Sequence, residues 1–78
     1  MNQCIINVVE KSVFIAFNQI VDKGAIEVWQ INGKNTPVCQ IEILNTNFED
    51  LKVNLEKGKY RLEIQIDGQQ IVKTIDIN

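Results

Sequence analysis

The sequence predicts an all-β fold, a seven-stranded antiparallel β-sandwich in a single domain. Three observations lead there. Ile and Val dominate the apolar 45% of the 78 residues, and alanine occurs only at Ala16 and Ala25. β-Branched side chains lose χ1 freedom in a helix and pack well on a pleated sheet. Apolar and polar residues alternate with period two in successive runs, and turn residues separate the runs. No long stretch has helical periodicity, which argues against a βαβ arrangement.

Each element follows from its own residues. CIINVV (Cys4–Val9) reads as the first strand, and Glu10-Lys11 as a tight turn. SVFIAFN (Ser12–Asn18) puts Val13, Ile15 and Phe17 on one face. VDKG (Val21–Gly24) reads as a turn in which Gly24 takes a positive φ. AIEVWQI (Ala25–Ile31) is the third strand, and NGKNTP (Asn32–Pro37) opens with Asn-Gly, a strong hairpin signal. VCQIEIL (Val38–Leu44) groups Cys39, Ile41 and Ile43, and the polar NTNFED (Asn45–Asp50) reads as a turn. LKVNL (Leu51–Leu55) alternates as a fifth strand, and EKGK (Glu56–Lys59) turns the chain. YRLEIQI (Tyr60–Ile66) places Tyr60, Leu62, Ile64 and Ile66 on one side. Asp67-Gly68 is a second hairpin signal, and QQIVKTIDI (Gln69–Ile77) is the last strand. Strands at this spacing suit a sandwich or a small barrel. An immunoglobulin-like order puts the first, second, fourth and fifth strands in one sheet and the other three in the second.

Charge excludes several functions. The net charge is −2, with lysines and acids interleaved. Nucleic acid needs clustered cations to displace counterions, so no nucleic-acid partner is expected, an oligonucleotide-binding barrel included. No apolar run approaches the ~18 residues of a membrane span, and no membrane insertion is expected. The opening MNQCIINVVE lacks the basic-then-apolar order of a signal peptide, so the chain is either cytosolic or has lost a leader. A chain of 78 residues buries only ~60% of its unfolded surface, and dimerisation would add to its stability.

The chain is poor in reactive groups. It has no histidine, one arginine (Arg61) and one serine (Ser12), so neither Ser-His-Asp nor Cys-His catalysis is possible. Glu49 and Asp50 are adjacent, but acid–base work needs a pocket as well as a pair. Cys4 and Cys39 are too few and too far apart for zinc, NTNFED lacks the spacing of a calcium loop, and no cofactor is expected. Each cysteine shares a face with aliphatic neighbours, which favours buried free thiols over a disulfide. Two aromatics are out of phase with the core: Trp29 opposite to Ile26 and Val28, unless a bulge turns it inward as the buried third-strand Trp of immunoglobulin domains, and Phe14 opposite to Val13 and Ile15. These form the candidate interaction surface, for an unknown protein partner or for self-association. A small-ligand carrier or an unfamiliar enzyme on a β-barrel is the alternative.

The runs VVEKSVFIAF, AIEVWQINGK and LEKGKYRLEI carry a resemblance. They are similar to the small exported immunoglobulin-like β-sandwich domains of unknown function found in Bacteroides and relatives. Phe17, Ile26 with Val28, Asn32-Gly33-Lys34, and Leu55 through Ile64 occupy the matching places. The resemblance implies a fibronectin-type sandwich, export to the periplasm, cell surface or medium, and a non-catalytic accessory role. A weaker similarity, through the late glycine–tyrosine strand and Lys73, is to type IX secretion sorting domains, although Pro37 stands without their Pro-Asn-Pro opening. In an immunoglobulin-like frame Leu55, Gly58 and Tyr60 form a structural corner. The Tyr60 hydroxyl would then bond to backbone a few residues upstream.

Overall fold

The computed structural model describes residues 4–33, 36–52 and 55–78. It holds five strands: β1 (Cys4–Val9), β2 (Ser12–Gln30), β3 (Cys39–Asp50), β4 (Gly58–Ile66) and β5 (Gln69–Ile77). All pairings are antiparallel. β1 and β4 both lie on one edge of β2, β1 along its first half and β4 along its second. β3 runs along the other edge, and β5 pairs with β4. The sheet curls into a half-barrel around its own apolar face.

The architecture is thus all-β and antiparallel, but the seven expected strands become five. VDKG does not reverse the chain, because β2 runs through it for 19 residues. NTNFED likewise stays within β3. The reason lies in how the two polar segments meet. Val21 pairs with Thr46 and Lys23 with Leu44, so these segments lie side by side. Four residues of β2 and one of β3 separate the Ala16–Phe48 pair from the Val21–Thr46 pair, which makes a large bulge. Asn45 takes a φ of 50°, and the Thr46 hydroxyl both donates to Phe48 O (3.0 Å) and accepts from Phe48 N (3.2 Å). Turn-like composition here marks a shared bend in two paired strands. It folds one long ribbon over the core and replaces the two-sheet partition.

Gly24 has a different role from the expected one. It is not among the residues with positive φ. It sits between Ile43 and Ile66, and a Cβ there would lie 2.5 Å from Gln65 O and 2.8 Å from Ile66 Cγ2. The glycine lets β4 approach the bend. The two hairpin turns do use positive φ, at Glu10 (56°) and at Asp67 (49°) with Gly68 (76°). Asn32 (65°) opens the β2–β3 connection, and Lys34 lies outside the described residues.

LKVNL is not a strand where it is described. Leu51 and Leu55 are buried, while Val53 and Asn54 lie outside the described residues. Leu51 and Leu55 lie beside the start of β2, where Leu51 N donates to Val13 O (3.1 Å) and Leu55 N to Lys11 O (3.3 Å). The core fills the concave side with Val13, Ile15, Phe17, Val21, Ile26, Val28, Ile43, Leu62, Ile64, Ile66 and Ile77. No polar or charged residue is buried among the described residues.

Candidate functional site

The expected corner is structural. Tyr60 is buried and its hydroxyl donates to Glu56 O at 2.7 Å, four residues upstream. Gly58 opens β4 with a φ of 153°, a value that favours glycine. Leu55 packs beside it in the same core. These three residues hold the entry to β4 and offer no group to solvent chemistry.

The convex side of the sheet has two distinct halves. Over β3, β2, β4 and β5 it is mainly polar, with Leu44 (60% exposed) and Val72 (53%) set among the polar side chains. Trp29 is half-buried there, directly opposite Arg61, whose guanidinium lies 5.6 Å from the ring centroid. Arg61 Nε also donates to Glu63 Oε2 at 2.8 Å. The indole is therefore roofed by a cation that a carboxylate holds in place. Its Nε1 is buried without a hydrogen-bond partner among the described residues.

Glu27 lies directly opposite Glu63 on this face. Glu27 accepts from Gln40 Nε2 (2.9 Å), while Glu63 accepts from Arg61 and from Gln70 Nε2 (3.4 Å). One carboxylate is drawn toward β3 and the other toward β5, so they do not converge on a reacting atom. A shallow groove of about 580 Å³ runs near the Asp67-Gly68 turn, lined by Lys23, Gly24, Glu42, Gln65 and Gln69 among others. No group of three or more His, Cys, Asp or Glu side chains fit to hold a metal occurs among the described residues. No helix there is long and apolar enough to cross a membrane.

Over β1, the first half of β2 and the end of β3, the convex side carries an apolar row beside the polar Asn7, Ser12 and Asp50. Ile5 pairs with Ala16, and Ala16 pairs with Phe48, so the three form one row across three strands. Phe14, half-buried, stacks on Phe48 with ring centroids 6.0 Å apart and planes at 20°. Ile5 is 66% exposed, Val9 58% and Phe48 51%. The two aromatics expected to share a surface are thus separated. Phe14 belongs to this open row, and Trp29 sits under Arg61 on the other half. Phe48 and Ile5 had escaped sequence reasoning, because Phe48 lies in a segment that reads as a turn and CIINVV is apolar on both faces.

Cys4 and Cys39 are free and half-buried, on β1 and β3. Burial pushes both thiols above their ordinary value, and Lys73 partly offsets this at Cys4. No protein-family model, no curated protein and no solved structure matches this chain.

Proposed function

We propose that the chain is a non-catalytic interaction module that docks a protein through the convex face of β1, β2 and the end of β3. The observation that carries this reading is the exposed apolar row of Ile5, Ala16 and Phe48, with Phe14 stacked against it. A contiguous apolar patch on so small a domain is costly to leave in water and suits a partner's apolar surface. Aromatic side chains suit the centre of such a contact. On the polar half, by contrast, Glu27 is engaged by Gln40, and Glu63 by Arg61 and Gln70.

The resemblance to small exported immunoglobulin-like domains adds a setting to this reading, a secreted or cell-envelope bacterial protein. Kinship with those domains rests on the late glycine–tyrosine strand, while the five-stranded curl departs from their strand order. A photo-crosslinking residue placed at position 48, in the cells that make the protein, tests the docking face. The reading expects a discrete crosslinked protein from position 48 and none from position 74, which lies on the polar half. Equal capture at both positions, or none at 48, contradicts it.

A further inference from the structure

We infer that one partner of this surface is a second copy of the chain, joined edge to edge through β1 about a two-fold axis at Asn7. The inference rests on the reading of the β1–β2–β3 half as a contact surface and names an occupant for its edge.

Among the described residues, three strands pair on one side only: β1, β3 and β5. An open edge is a template for another strand, and natural sheets commonly guard such edges with charge. β3 carries Glu42, Glu49 and Asp50, and β5 carries Lys73 and Asp76. β1 (CIINVV) has no charged residue, and it is the only described strand without one.

The hydrogen-bonding groups of β1 are also set for pairing. Val13 O accepts from Leu51 N, so the Val13 carbonyl points toward the β3 side of β2. By strand alternation, Ser12, Phe14 and Ala16 then point toward β1. Their partners Val9, Asn7 and Ile5 are thereby occupied. Cys4, Ile6 and Val8 direct their backbone groups to the open edge.

The side chains select the register. Around Asn7 the sequence is a chemical palindrome, Ile5-Ile6-Asn7-Val8-Val9. A two-fold axis through Asn7 sets Ile5 against the partner's Val9 and Ile6 against the partner's Val8. Each apolar residue from Ile5 to Val9 then meets an apolar residue on its own side of the sheet, while Cys4 meets the partner's Glu10. Ile6 and the partner's Val8 exchange backbone hydrogen bonds, and the reciprocal pair does the same. Asn7 meets the partner's Asn7 at a non-hydrogen-bonded position, where opposed side chains come closest and their two amides can pair. An axis through Ile6 would instead set Asn7 against the partner's Ile5. The interface is isologous, as a two-fold requires. It extends each Ile5–Ala16–Phe48 row across the seam by the partner's Val9, one row on either side of the Asn7 pair, and leaves Phe14 and Phe48 uncovered.

Sedimentation of the full chain with a charge-swap pair tests the proposal. Wild type is expected to show a reversible dimer as its concentration rises. Asn7→Lys alone and Asn7→Asp alone each put like charges at closest approach, and each should halve the weight-average mass. An equimolar mixture of the two should recover the dimer, which a misfolded variant would not do. Wild type that stays monomeric overturns the inference, as does a dimer indifferent to both variants or a mixture that stays monomeric. A monomeric wild type that still yields a crosslink to a different protein from position 48 removes the two-fold alone. A charge-switchable dimer in which position 48 captures nothing removes the docking face alone.

Discussion

Tyr60 shows how one polar atom secures a corner. Its ring lies in the core while its hydroxyl satisfies the Glu56 carbonyl at 2.7 Å. Tyr60→Phe keeps the ring and loses the bond, so it should cost about 1 kcal/mol. Denaturant melts should show a lower midpoint with an unchanged slope, and an unchanged midpoint would contradict the bond's contribution. Cys4 and Cys39 give a second prediction at this scale. Their thiols are raised in the fold by burial, so the folded chain holds these protons more tightly than the unfolded chain. Below the unfolded thiol pKa of ~8.5 both states keep the protons, and the thiols add no pH dependence. Above it the unfolded state ionises first, and stability falls as pH rises toward the folded values. Stability measured against pH should fall less steeply in that alkaline range for Cys4→Ala/Cys39→Ala than for wild type. Equal slopes would contradict the burial effect.

At the scale of elements, the long bent β2–β3 ribbon is the feature that alternation alone did not reveal. Short strands bounded by turn residues were legible: β1, β4, β5 and the Asp67-Gly68 hairpin fall within a residue or two of where the sequence puts them. The bend was not, because Asp22, Lys23 and Asn45 have the composition of a reversal, and only their pairing across strands shows that the chain continues. Leu51 and Leu55 were legible as core but not as non-strand. Gly24 was legible as a special position for the wrong reason. Gly24→Ala tests the corrected one. A methyl group directed at Gln65 O and Ile66 Cγ2 forces β4 away from the bend. The cost should be about 1–3 kcal/mol, read in the same melts. A neutral Gly24→Ala would show that the close approach is not required. The two faces of the β2–β3 ribbon should also differ sharply. Ile15→Ala removes a fully buried side chain and should cost about 2–5 kcal/mol. Phe48→Ala, on the convex side, loses mainly its stacking with Phe14, worth about 0.5–1.5 kcal/mol. Similar losses from the two would mean that Phe48 belongs to the core.

For the whole molecule, the side-chain hydrogen bonds of Glu27, Arg61 and Glu63 gather over one half of the convex surface, and the stacked aromatic pair with its apolar row lies over the other. The candidate site was half legible. Phe14 is out of phase in a well-formed strand, and its phase alone places it outside the core. Its partners Phe48 and Ile5 come from distant strands, and only the register of β1, β2 and β3 assembles them into a row. Trp29 has the same sequence signature as Phe14, yet it is roofed by Arg61, a residue that no local pattern links to it. The central claim is that contact is made by the apolar half and not by the Trp29 half. The most direct measurement is the backbone and indole amide NMR spectrum followed on dilution. The account predicts concentration-dependent shifts concentrated at residues 5–9 of β1, with the Trp29 indole and the β5 amides unmoved. Shifts centred on Trp29 or on β5, with β1 unchanged, would contradict it.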